Sequence, residues 1–195
     1  GVFYIRAEYP ESVQIVQETV ESFRSAAMLG ESIFGSNFSF EFKVIKAQGA
    51  YICGEETALL SSIEGQRPEV RVRPPFPVVE GLFRKPTVVN NVETLCCVTQ
   101  ILYRGGEWFK SMGVPPDPDN PRDPGSYGPK LYCVTGHVNK PCCVELPLGV
   151  TARELIEEHA GGVWKGRKAK AVVPGGISMG FLSDKELDTK LDFAG

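Results

Sequence analysis

The stretch Gly49-Ala50-Tyr51-Ile52-Cys53-Gly54-Glu55-Glu56-Thr57 is where this chain changes its period. Just upstream, Phe38, Phe40, Phe42 and Val44 alternate with Ser39, Glu41 and Lys43, the pattern of a half-buried strand. Just downstream, Ala58, Leu59, Leu60 and Ile63 fall at helical spacing, and Gly65 ends a helix of about nine residues. Polar groups therefore sit at a strand-to-helix junction, where a helix N-terminus leaves N–H groups unpaired and attracts anions. Further toward the start, Val13, Val16, Val20, Phe23 and Ala27 recur at steps of three and four and stop at Gly30. Val2–Ile5 before them is an apolar strand ended by Tyr9-Pro10. Strand, helix and strand in that order predict a right-handed crossover and an α/β layer.

A second junction lies downstream, at Pro86-Thr87-Val88-Val89-Asn90-Asn91-Val92-Glu93-Thr94. A short apolar run gives way there to a helix from Asn90 or Asn91 to Tyr103, with Val92, Leu95, Thr99 and Leu102 on one face. Between the junctions, Pro68, Pro74, Pro75 and Pro77 impose a well-defined irregular loop over residues 66–78. Residues 113–129 carry Pro115, Pro116, Pro118, Pro121 and Pro124 among Asp, Asn and Gly, which marks a linker or exposed insertion. Beyond it, Leu131–Val138 and Cys142–Leu146 are strand-like, with Asn139-Lys140-Pro141 as a hairpin turn. Thr151 and Glu154 form a capping-box pattern ahead of a helix through His159, and Ala169–Val173 is a further strand. Two strands, a helix and a strand fit a small β-grasp-like module. The expected organisation is an α/β domain over residues 1–112, a Pro-rich linker over 113–129 and the β-grasp-like domain over 130–195.

An apolar fraction of 42% and a charged fraction of 23% are ordinary for a globular chain. A net charge of −3 without a Lys/Arg cluster argues against a nucleic-acid partner. No apolar run approaches the roughly 20 residues that span a bilayer, so no direct membrane insertion is expected, and Gly1–Arg6 looks like a strand in progress and not a signal peptide. The 6 cysteines form no C-x-x-C, and only 2 histidines are available as co-ligands, so no metal site is assigned. Reduced, structural cysteines in a cytoplasmic protein are expected.

Two constellations carry chemistry. At the first, Glu55 and Glu56 open a helix, Tyr51 offers a flat ring, and Gly49 and Gly54 permit close backbone approach. A carboxylate there can accept hydrogen bonds from ribose hydroxyls, although simple charge complementarity at a helix start accounts for acidic residues equally well. At the second, Asn90, Asn91 and Thr94 supply neutral donors beside exposed backbone N–H groups, a set that can hold a phosphate without a cation. An Asn N-cap alone, with no ligand, also explains that pattern.

Taken together, these two segments resemble those of the NADH-oxidising flavoprotein subunit of respiratory complex I and its relatives in NAD-linked hydrogenases and formate dehydrogenases. Pro74-Pro75-Phe76-Pro77, Lys85-Pro86-Thr87, Gly136-His137-Val138, Gly161-Gly162 and Pro174-Gly175-Gly176 follow in family order, so the likeness covers nearly the whole chain. The resemblance implies that Tyr51, Gly54, Glu55 and Glu56 line an FMN and NADH pocket. It implies that Asn90, Asn91 and Thr94 bind the FMN phosphate and ribityl chain, and that residues 130–195 are the soluble-ligand-binding domain. Gln48 departs from the family, which usually has Gly there. No side chain is assigned a catalytic role as acid, base or nucleophile.

The resemblance further implies that the family's Gly-rich flavin loop precedes residue 1 and that its [4Fe–4S] domain follows residue 195. The leading expectation is thus a portion of an NADH:quinone oxidoreductase that oxidises NADH through FMN and passes electrons to iron–sulfur clusters and finally quinone, with the portion alone inactive. Its implied partners are NADH and other subunits of an NADH dehydrogenase complex, above all the small [2Fe–2S] subunit. The implied place is cytoplasmic, or a peripheral arm on the cytoplasmic or matrix side of an energy-transducing membrane. The alternative is a non-catalytic binding or assembly module of an NAD-linked hydrogenase or formate dehydrogenase, which a colourless protein without flavin absorbance would favour. A hydrolase built on Cys53 is set aside, because no histidine lies in the same domain.

Overall fold

The computed structural model describes residues 1–47, 49–176 and 179–193, which fall into two units, residues 1–90 and 91–195. In the first, β1 (Val2–Arg6) pairs in parallel with β2 (Lys43–Ala47), Val2 opposite Lys43 and Arg6 opposite Ala47. A parallel pair needs a crossover, and α1 (Pro10–Ser25) supplies it. Pro10 opens α1 where its missing N–H costs nothing, and Val13 and Val20 are buried, as the helical spacing predicts. The helix stops short of the Ala27 end of its apolar period. Ala27 takes a left-handed φ of 56°, and the Met28 and Leu29 amides both return to the Phe23 carbonyl.

The alternating Phe38–Val44 run is only partly strand. Regular pairing begins at Lys43, opposite Val2; Phe40 instead bridges Gly30, with amide–carbonyl bonds of 2.8 and 2.9 Å. The phenylalanines stack on one another, Phe3 on Phe42 at 4.4 Å and Phe40 edge-on to Phe42 at 5.0 Å. After β2 a short 3-10 turn, Tyr51–Gly54, leads into α2 (Glu56–Ile63), which buries Thr57, Ala58, Leu60 and Ser61. Tyr4 on β1 meets Ser62 on α2, hydroxyl to hydroxyl at 2.6 Å, and so ties helix to sheet.

The second unit opens with α3 (Val92–Arg104) and α4 (Gly106–Lys110). Gly105 separates them at a φ of 90°, a conformation that favours glycine. The proline-rich segment is a closed excursion: β3 (Gly113–Val114) and β4 (Ser126–Tyr127) pair across its base, and the Asp123 carboxylate accepts from the Asp117 and Gly125 amides within it. β5 (Pro129–Val134) and β6 (Cys142–Pro147) form an antiparallel hairpin. The expected turn at Asn139–Pro141 is not a tight one. Residues 135–141 connect the strands, and Asn139 and Lys140 donate their amides to Gly162 and Ala160 at 3.0 and 2.9 Å. Thr151 caps α5 (Ala152–Glu154) by accepting from the Glu154 amide at 3.1 Å, and Leu155–His159 continue it as a π-turn. β7 (Ala171–Val172) then pairs with β8 (Leu182–Ser183), a partner the apolar pattern had not marked. Ala152, Ile156 and Leu187 form this unit's core, with Val138, Val163, Ala169, Val172 and Leu182 packed on it.

Candidate cofactor site

Glu55 is the N-cap of α2, with extended backbone at φ −79° and ψ 131°. Its Oε2 accepts from the Thr57 amide at 2.9 Å, the Ala58 amide at 2.9 Å and the Thr57 hydroxyl at 2.5 Å. Partial burial pushes the Glu55 carboxyl up, but these donors, with Arg73 beyond them, outweigh it and leave the group below the usual carboxylate range. Arg73 bridges the acidic pair, with Nη1 at 2.6 Å from Glu56 Oε1 and Nη2 at 3.6 Å from Glu55 Oε1. The two carboxylates that the sequence offers to a sugar thus carry structural duties, each with capacity left to accept a hydroxyl.

Thr57 extends the network. Its hydroxyl also accepts from the Arg71 amide at 2.9 Å, and Arg71 reaches Ser61 Oγ at 3.1 Å through Nε and Glu64 Oε2 at 2.7 Å through Nη2. Glu64 Oε1 in turn accepts from the Phe83 amide at 2.7 Å. The proline-rich loop is therefore pinned along α2 by Arg71 and Arg73, neither of which the sequence reasoning singled out.

Tyr51 projects from the 3-10 turn with 88% of its surface exposed. A Cβ on Gly54 would meet nothing within 4 Å, so the α2 N-terminus opens on free space. At Gly49 the reverse holds: a Cβ there would run into the Glu8 carboxylate, and φ is +21°. Cys53 is buried beside Tyr4, whose hydroxyl is pushed up by burial and by that thiol. Gln48 lies outside the described residues.

The boundary between the units falls between Asn90 and Asn91. Asn90 is exposed at the end of the first unit. Asn91 opens the second as the N-cap of α3, its Oδ1 accepting from the Glu93 amide at 2.8 Å and the Thr94 amide at 3.4 Å. The Asn91 oxygen is thus committed to the cap, and both Asn91 and Thr94 are exposed. Lys130 neutralises Glu93 in the same first turn, at 3.0 Å, which lessens repulsion toward an anion there. These neutral donors fit a phosphate ester. Glu154, Glu158 and His159 bring ligand atoms within 4.8 Å of one another.

The family described as the Nuo51 FMN-binding domain matches residues 1–100. This chain belongs to that family. The SLBB domain matches residues 130–194, the stretch expected to be a separate soluble-ligand-binding module. Among curated relatives, a subunit of the NADH-quinone oxidoreductase of Rhizobium meliloti is 49% identical over 190 residues, covering 97% of this chain and 43% of that protein. The HndC subunit of the NADP-reducing hydrogenase of Solidesulfovibrio fructosivorans is 39% identical, covering 99% of the chain and 38% of that protein. The chain spans about two fifths of the length of these curated relatives, 43% and 38%. A crystal structure of NAD+-reducing [NiFe]-hydrogenase in the air-oxidized state aligns with a TM-score of 0.79 at 34% identity, over 99% of this chain and 30% of that one. Fold class and family resemblance therefore hold as the sequence indicated. Among the described residues, no helix is long and apolar enough to cross a membrane.

Proposed function

We propose that this chain is the cofactor-holding portion of an NADH-oxidising flavoprotein subunit, with FMN-binding residues at both helix starts. Asn90, the Asn91 Nδ2 donor and the Thr94 hydroxyl hold the phosphate and ribityl chain. Tyr51, Gly54, Glu55 and Glu56 form the nucleotide-facing side, where Arg73 keeps the carboxylates in place to accept sugar hydroxyls. FMN, when bound, supplies the exchange between a two-electron hydride donor such as NADH and one-electron carriers. The chain's own residues bind and orient, and none moves a proton. Membership of the FMN-binding family, together with the donor set around Asn91, carries this reading.

The relatives are named as subunits of oxidoreductases and hydrogenases, which supports assembly with other subunits of such a complex, the small [2Fe–2S] subunit among them. A peripheral arm on the cytoplasmic or matrix side is the corresponding location, with quinone as the final acceptor and any [4Fe–4S] cluster held outside these 195 residues.

An exposed Tyr51 and an open Gly54 leave much of a bound ligand in water. Competent sites bury about 70–90% of a drug-sized ligand, so few contacts here offset the lost freedom of binding. The test is FMN fluorescence quenching by the 195-residue chain, with NADH:ferricyanide turnover assayed alongside. We expect a dissociation constant above about 10 μM, weakened several-fold further by Asn90→Ala or Thr94→Val, and no turnover. Submicromolar binding with turnover, or weak binding indifferent to both substitutions, would contradict the proposal.

A further inference from the structure

The β5–β6 hairpin places two thiols against each other on its open face. Cys133 and Cys143 are register partners, both exposed, and the Cys133 S–H donates to Cys143 Sγ at 3.4 Å. Their position in the ladder follows from the strand ends. Pro129 lies opposite Pro147, and neither has an N–H, so that pair cannot exchange hydrogen bonds. The next pair outward does bond, Leu148 donating to the Gly128 carbonyl at 3.0 Å. Pairs alternate along an antiparallel ladder, so steps of two from Pro129 place Leu131–Glu145 and then Cys133–Cys143 at non-hydrogen-bonded positions.

At such positions the Cα atoms are about 4.5 Å apart and the side chains closest, inside the roughly 4.4–6.8 Å that a disulfide spans. Cys142 points to the other face, where its Sγ lies 3.6 Å from the His159 carbonyl and it is half-buried. Period two thus selects one partner for Cys143 and excludes its sequence neighbour.

We propose that Cys133 and Cys143 are a reversible dithiol–disulfide site, oxidised by low-molecular-weight disulfides of the glutathione class. The Cys143 thiolate attacks the external disulfide, forms a mixed disulfide and releases one thiolate. The Cys133 thiolate then attacks Sγ of Cys143 and releases the second. The two protein thiols lose two electrons and two protons, and one external disulfide becomes two thiols. Contact with Cys133 pushes the Cys143 thiol up. Oxidised, the pair clamps β5 to β6 on the face opposite Tyr132 and Val144.

The test incubates the 195-residue chain with excess oxidised glutathione, then with excess reduced glutathione. We expect two of its 6 thiols to disappear, the intact mass to fall by two hydrogens, and digestion to yield a Cys133–Cys143 crosslinked peptide. Reduced glutathione should reverse all three. Cys142→Ser should behave as the unmodified chain, whereas Cys133→Ser should stop at a glutathione adduct on Cys143. Circular dichroism spectra matching the unmodified chain confirm that both variants fold. Retention of every thiol, arrest at mixed disulfides in the unmodified chain, or a bond mapping to Cys142, Cys96, Cys97 or a second molecule would overturn the proposal.

Discussion

At Thr57 one hydroxyl donates to Glu55 and accepts from the Arg71 amide, so a single side chain joins the helix cap to the loop that runs along it. Glu55 was legible in the sequence as a helix-start carboxylate. Its cap geometry also follows from residue type, because an acceptor just before the first turn meets free amides. Arg71 and Arg73 were not legible, since an irregular loop carries no periodicity from which to judge which way its side chains return. The pH response of Glu55 tests this level. Its folded value is depressed, so its contribution is full above the unfolded value of about 4.3 and is lost as pH falls through the lower folded value. Urea unfolding near pH 7 should show Glu55→Gln destabilised by about 0.5–2 kcal/mol. That difference should shrink as the pH is lowered toward about 3. An undiminished difference there would mean that charge has no part in the cap.

Among the elements, α2 and α3 look alike in sequence and differ in what they bury. Both sets of bounds were readable to within a residue, the first helix from Gly54 and Gly65 and the second from Asn91 and Tyr103. Apolar spacing announces a buried face in each, yet α3 buries none of its residues: Leu102 is 82% exposed, whereas Leu60 on α2 is 2% exposed. Periodicity says which residues share a face and nothing of what covers it. Leu60→Ala should therefore cost about 2–5 kcal/mol and Leu102→Ala less than about 0.5 kcal/mol, both measured from urea midpoints. Equal costs would contradict the burial described. The misplaced start of β2 has a similar origin, because Phe38, Phe40 and Phe42 alternate as a strand does but stack on one another ahead of the paired residues.

For the whole molecule, the strand–helix–strand order at the start of the chain and the β5–β6 hairpin were visible in changes of period, and the family was visible in two short motifs. The pairing of β7 with β8 was not, because two-residue strands leave no periodic trace. Which residues meet the flavin is the claim on which the functional account rests. It is tested most directly by an amide-resolved NMR titration of the chain with FMN, which reads weak binding residue by residue. The amides of residues 54–57 and those of 90–94 should both shift as FMN is added, and Thr94→Val should weaken the response at 90–94. Shifts confined to one set, or a response centred elsewhere and untouched by Thr94→Val, would contradict it.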